Sequence, residues 1–324
     1  MKRGLAMLFT GALLVLPGMA EAKLTMKIGH GAPEATAMHA GWLKFKELVE
    51  ERSKGEIIVQ IYGNQQLGGD RELTEATQLG NITGCAASTA NVAPFISDLF
   101  VFDMPFLFRD HAHVYEMLDG APGKAALKSG EKVDLKGMGY MENGFRDLTN
   151  SRRTIRLPKD LEGIKLRTME NPIQMAAWRA LGANPTPMAF GEVYTALQQK
   201  TVDGQENPME LIYNNKFFEV QPYFTLTRHI YSPYAIMFNL EWWNDLNKDQ
   251  QDLLEKAIQE AIAFQRAQVS ESAKKAEEAI RANGNEIVEL TPEELAQFKE
   301  KVQVVLPMIK ERVSPEVYKL FIGG

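Results

Sequence analysis

Apolar residues alternate along Leu24–Gly29 (L-T-M-K-I-G) and again at Ile57, Val59 and Ile61. That period of two marks strands with one face in a core. Between them Met38, Trp42, Phe45, Leu48 and Val49 recur at helical spacing, and Ser53-Lys54-Gly55 ends the helix. A strand–helix–strand opening predicts a parallel sheet with helices on its faces. A helix from about Asp70 to Leu79 and a short run at Ile82–Ala86 extend the series. Residues 94–108, P-F-I-S-D-L-F-V-F-D-M-P-F-L-F, are aromatic-rich and too irregular for one helix. They read as core packing, with the wall of a ligand cleft as the alternative. Short helices at His113–Leu118 and Gly123–Lys128 precede a strand near Met138–Glu142.

A second series begins near Asn143–Thr154. Ile164–Thr168 reads as a strand and Pro172–Leu181 as a helix, with Pro172 in the first turn, where its missing N–H costs nothing. Another β-α unit covers Thr186–Lys200, and a turn at Asp203-Gly204 leads into a strand bearing Glu206 and Asn207. Tyr231–Asn239 reads as a strand returning to the first lobe. A long helix follows over Lys248–Asn283, with Leu254, Ile258, Ile262, Val269, Ala273, Ala276 and Ile280 on one face and Gly284 as its cap. Thr291-Pro292-Glu293-Glu294 is a capping box for the last long helix. The expected class is therefore α/β with two lobes. The first is 23–145, completed by part of 231–324; the second is 146–230. The helix 248–283 spans them, and the chain crosses near Asn143 and Tyr231.

Composition changes this picture only at the N-terminus. Lys2 and Arg3, an apolar stretch Leu5–Leu16 and the small-x-small site Ala20-Glu21-Ala22 make residues 1–22 a secretory signal peptide, since the apolar run is too short for a span. The net charge is −6, with no basic stripe, which argues against nucleic acid as a partner. The single cysteine, Cys85, excludes an intramolecular disulfide and, in the small-residue run T-G-C-A-A-S, reads as a packed thiol. A secreted, soluble, disulfide-free chain fits a Gram-negative periplasm. His111 and His113 lack a third ligand at helical spacing, so no metal is expected, and no nucleophile, Walker or dinucleotide motif suggests catalysis or a cofactor. His39 and His229 read as structural.

The chemistry concentrates between Leu161 and Pro208. Arg167 stands in an apolar strand, and an arginine is almost never buried unpaired. Its partner is either a carboxylate of the chain, Glu170 or Glu206, or a ligand anion. A guanidinium fork matches a carboxylate with two parallel hydrogen bonds.

Here the chain resembles a known family. G-I-K-L-R (163–167), N-P-T-P-M-A-F-G-E-V-Y-T-A-L-Q (184–198) and V-D-G-Q-E-N-P (202–208), with N-G-F-R-D-L-T-N (143–150) and Q-L-G-G-D-R (66–71), are similar to the substrate-binding proteins of TRAP transporters, from about Lys23 to the C-terminus. The resemblance implies a two-lobe periplasmic binding protein fold with mixed sheets, a small organic-acid ligand and a TRAP permease as membrane partner, with no cofactor. It implies that Arg167 pairs with the ligand carboxylate, that Arg146 reaches the ligand, and that Asn207 hydrogen-bonds the carboxylate region; Arg146 is expected nearer the rim and better hydrated than Arg167. It also implies that Phe190 lines the cleft and that Asp70 contacts polar ligand groups. The sialic acid binders carry a glutamate where this chain has only small residues, Thr83–Ser88, and an asparagine where it reads His30-Gly31-Ala32; both argue for a smaller acid. A monomer is expected. The rival readings are a periplasmic enzyme, with Arg167 as substrate clamp and Glu206 or Asp203 as base, and an ABC-type binding protein.

Overall fold

The structure is a computed structural model describing residues 23–323, so the expected signal peptide lies outside the described residues. Its strands are β1 (Leu24–His30), β2 (Ile57–Tyr62), β3 (Gly84–Ser88), β4 (Leu135–Phe145), β5 (Asp147–Asn150), β6 (Lys165–Thr168), β7 (Asn184–Pro187), β8 (Gly204–Asn207), β9 (Tyr223–Leu226), β10 (Tyr231–Asn239) and β11 (Glu286–Glu289). They form two sheets, ordered β2-β1-β3-β10-β4 and β11-β9-β5-β8-β6-β7.

Both sheets are mixed. In the first, β1 runs parallel to β2 and β3, while β10 is antiparallel to β3 and β4. All nine residues of β10 are buried, which is why its sequence is nearly continuously apolar rather than alternating. Pro233, which cannot donate to a ladder, sits where the β10–β4 register shifts between Ser232 and Pro233. In the second sheet β6 is parallel to β7 and β8, and β5 is antiparallel to β8 and β9.

The lobes are joined where β4 passes into β5 and where β9 passes back to β10. These two crossings hydrogen-bond to each other, Arg146 N donating to Ile230 O at 2.9 Å. The long helix makes a third crossing, after which β11 pairs in parallel with β9 at the edge of the second sheet. The second lobe therefore extends beyond residues 146–230. A four-residue edge strand reading E-I-V-E carries little apolar signal.

The helix Lys248–Ala282 has 35 residues, about 50 Å at 1.5 Å per residue. Asn247 and Gln250 close a capping box at its start. Leu254, Ala257, Ile258, Ala261 and Ile262 pack with Trp42, Phe45 and Phe238 in the first lobe. Ala276 and Ile280 pack with Val193, Leu197, Phe217 and Phe224 in the second. Between these halves the buried Gln265 accepts from Glu142 N at 2.9 Å and donates to Glu142 O at 2.8 Å. Gly41 faces it without a side chain; a Cβ there would lie 2.8 Å from that of Gln265.

The aromatic stretch resolves toward core. Residues Ser97–Asp103 form a 3-10 turn whose Leu99, Phe100, Val101 and Phe102 are buried, and none of them lines the cleft between the lobes.

Candidate ligand-binding cleft

Both sheets direct carboxyl ends of parallel strands at the gap between the lobes, the usual place for a ligand in α/β sheets. Gly31 and Ala32 follow β1, Ser88 ends β3, Arg167 and Met169 lie at the end of β6, and Asn207 ends β8; all line one cleft. Its free volume is about 50 Å³. A buried water needs ~10–15 Å³ of such space, so a handful of waters would fill it and the lobes stand closed together. Polar contacts tie them: Asn171 Nδ2 donates to Ala90 O at 2.9 Å and to Asp103 Oδ2 at 2.6 Å, and Gln174 Nε2 to Asp103 Oδ1 at 2.8 Å.

All five residues expected at the site, Arg167, Arg146, Asn207, Phe190 and Asp70, line this cleft. Arg167 is 1% exposed. Its Nε and Nη2 donate to Met188 O at 3.2 and 2.8 Å, and the guanidinium carbon lies 6.0 Å from the Phe190 ring centre. Its Nη1 is buried without a partner among the described residues. Neither carboxylate considered from the sequence pairs with it. Glu170 is exposed and Glu206 is engaged elsewhere. Burial lowers the Arg167 guanidinium to about 10, so it remains charged at neutral pH.

Arg146 corrects an expectation. It is not near the rim but 1% exposed, held in the floor beside the chain crossing. Its Nε pairs with Glu206 Oε2 at 2.5 Å; its Nη2 donates to Glu206 Oε1 at 2.9 Å, Glu206 O at 2.6 Å and Asn207 Oδ1 at 2.9 Å. The cause is register. β5 pairs with β8 so that Asp147 faces Asn207 and Leu148 faces Glu206, which sets Arg146 over that strand end. His229 Nε2 completes the cluster 3.2 Å from Glu206 Oε2. Burial alone would raise the Glu206 carboxyl, but Arg146 and the hydrogen bonds from His229 and Arg146 outweigh it and hold it at about 2. A carboxylate so held is a poor general base. Asp203, the other base considered, accepts from Lys165 N at 2.9 Å at the opposite end of β8 and does not line the cleft.

Asn207 Nδ2 donates to Gln205 Oε1 at 2.5 Å, which fixes its amide. Phe190 is half-buried and packs edge-on against Phe217 at 5.9 Å. Asp70 Oδ2 accepts from Ser88 N at 3.0 Å and Asn91 Nδ2 at 3.1 Å. Sequence reasoning missed Asn143 and Tyr234 in the lining and the Asp103–Asn171–Gln174 contacts. For the last a signal existed: Asn171 before Pro172 is a helix cap, and it accepts from Ile173 N and Gln174 N. Cys85 is fully buried, which pushes its thiol up to about 12, and among the described residues no group of side chains suits a metal ion.

Among the described residues no helix is long and apolar enough to cross a membrane. Residues 28–312 match the family model of the bacterial extracellular solute-binding proteins, family 7, DctP. The chain is 36% identical over 281 residues to the 2,3-diketo-L-gulonate-binding periplasmic protein YiaO of Escherichia coli K12, covering 87% of this chain and 86% of that one. It is 35% identical over 305 residues to the C4-dicarboxylate-binding periplasmic protein DctP of Rhodobacter capsulatus, covering 94% and 91%. The crystal structure of the sugar acid binding protein DctPAm from Advenella mimigardefordensis in complex with galactonate superposes with a TM-score of 0.89 at 35% identity, covering 92% of this chain and 97% of that one. These matches span nearly the whole described fold, and the matched family is one of receptors. The chain belongs to family 7 of the bacterial extracellular solute-binding proteins, the DctP family of TRAP transporter receptors.

Proposed function

We propose that this chain is a periplasmic receptor that grips a small organic acid by its carboxylate and delivers it to a TRAP permease. The observation that carries the reading is the unpartnered Nη1 of buried Arg167. Met188 O holds one edge of the guanidinium, and the edge formed by Nη1 and the second Nη2 hydrogen remains as a fork for a carboxylate. Arg146 Nη1, which carries none of the bonds to Glu206 and Asn207, and the Asn207 amide are the further donors. Phe190 shields the site from water, and a closed, dry cleft strengthens the charge pair.

The permease is expected to prefer the closed form, which ligand populates. The chain itself catalyses nothing in this reading, since Glu206 is committed to Arg146. Residues 1–22 export it and are removed, and it works as a monomer. The test is a thermal-shift screen of organic acids on the mature protein, followed by small-angle scattering. Ligand at 100 Kd should stabilise by ~2.7 kcal/mol. If no C4–C6 carboxylate stabilises the protein, the reading is wrong.

A further inference from the structure

Asp70 stands on the lobe opposite Arg167, and its carboxylate is only half engaged. Oδ2 takes the hydrogen bonds from Ser88 and Asn91; Oδ1 accepts from none of the described residues. Oδ1 lies beside Gly31, where a Cβ would approach to 3.0 Å, so the absent side chain leaves it room. Burial raises the Asp70 carboxyl, while the hydrogen bonds from Ser88 and Asn91 and the charge of Arg167 oppose the rise and favour its ionised form.

The buried charges of the cleft can be counted. Arg146 and Glu206 cancel each other at 2.5 Å. Arg167 has no carboxylate partner and takes one from the ligand. Nothing buried and cationic is then left to face Asp70. Arg71, Glu72 and Glu170 also line the cleft, but they are exposed, and their sum is negative. A ligand hydroxyl can donate to Asp70 Oδ1; a second carboxylate there meets a carboxyl group whose buried cationic neighbour, Arg167, already holds the first.

We infer that the cleft selects a hydroxylated monocarboxylate, and that Asp70 is the residue that rejects a second carboxylate. The inference rests on Arg167 holding the first carboxylate. Specificity here comes from a repulsive contact against the wrong ligand as much as from attraction to the right one.

Calorimetry with two pairs of acids tests it: erythronate against meso-tartrate, and galactonate against galactarate. Within each pair a terminal CH₂OH is replaced by a carboxylate and nothing else changes. Wild type should favour the monoacid of at least one pair by about tenfold or more, ~1.4 kcal/mol. Asp70→Asn, which retains an acceptor for Ser88 N, should cut that preference to about threefold or less by tightening the diacid. A wild type that binds the diacid as well as the monoacid, or that binds no acid of either pair, overturns the inference without reference to any variant. So does a folded Asp70→Asn protein with an unchanged preference. Arg167→Ala separates the two readings. If it binds both members of a pair like wild type, the carboxylate site itself is misassigned. If it loses both while wild type does not discriminate, only the role of Asp70 falls.

Discussion

Replacing Arg167 should move binding and stability in different directions. Arg167→Met removes the charge and keeps much of the side-chain volume. The drop of the guanidinium from its ordinary 12.5 to about 10 on burial corresponds to roughly 3 kcal/mol, at ~1.36 kcal/mol per pKa step, by which the fold disfavours the charged form. The sign follows from the titration. At neutral pH the group is protonated in both folded and unfolded chains, so the full penalty is present and methionine relieves it. Against this, Met188 O loses its donors, at about 1–3 kcal/mol for a buried acceptor left unsatisfied. The ligand-free variant should therefore unfold within ~1–2 kcal/mol of wild type, or above it. Ligand binding should weaken by ~3–5 kcal/mol, on the order of 10²–10³-fold or more in Kd, because a desolvated carboxylate loses its partner. Arg167→Lys should recover part of the affinity only, since an ammonium lacks the planar fork. Urea unfolding of the apo proteins and calorimetry with an acid that the thermal-shift screen identifies give the two numbers. An apo loss of ~3 kcal/mol or more, with a Kd within about threefold of wild type, would falsify the reasoning and make Arg167 a structural residue.

Three further outcomes are expected. Glu206→Gln should cost ~3–5 kcal/mol by leaving Arg146 buried without a counter-charge, and adding Arg146→Met should restore part of it, measured by a double-mutant cycle. Because Glu206 is held at about 2, below its ordinary 4.5, its contribution is complete above 4.5 and fades toward pH 2, and the variant should lack that acid-sensitive limb. Asp103→Asn should behave oppositely. Burial raises Asp103 to about 7 from 3.8, so the folded chain holds a proton the unfolded one has lost, wild-type stability falls between pH 4 and 7, and the variant should gain on wild type as pH rises through that window. Cys85, pushed up to about 12 by burial, should react with a thiol reagent at pH 8 only as fast as the protein unfolds; a rapid reaction without unfolding would contradict its placement in the core.

The elements were largely legible because their signals are local. The helix at 37–52 and the strand at 57–62 follow from spacing that a dozen residues display, and the caps at Asn171, Asn247 and Thr291 are written within four residues of each helix start. The five cleft residues were named from motif resemblance, and they converge on one cleft. Their partners were not legible. Which arginine meets Glu206 depends on the alignment of β5 with β8, some 60 residues apart in sequence. The contact of Asp103 with Asn171 and Gln174 joins two lobes across 68 and 71 residues. Strand alternation fixes which face a residue occupies but not which residue stands opposite. β11 escaped for a related reason: four residues with two glutamates carry too little periodicity to announce an edge strand.

The 35-residue helix that serves both cores limits how the two lobes can part. Its backbone hydrogen bonds make it nearly inextensible, so the lobes cannot simply translate away from each other while it stays packed at both ends. What remains is a swing, and the carboxamide of Gln265, bound to both backbone atoms of Glu142, ties the middle of the helix to β4 close to the first crossing. On one side of that tie the helix packs with Trp42 and Phe45, on the other with Val193 and Phe217. The rod thus adds a stiff connection to two chain crossings that already hydrogen-bond to each other. Inserting a residue beside Arg146 or within the 227–230 connection should then change the arc of opening, read by small-angle scattering with and without ligand, less than replacing Gln265, whose loss frees the helix from β4.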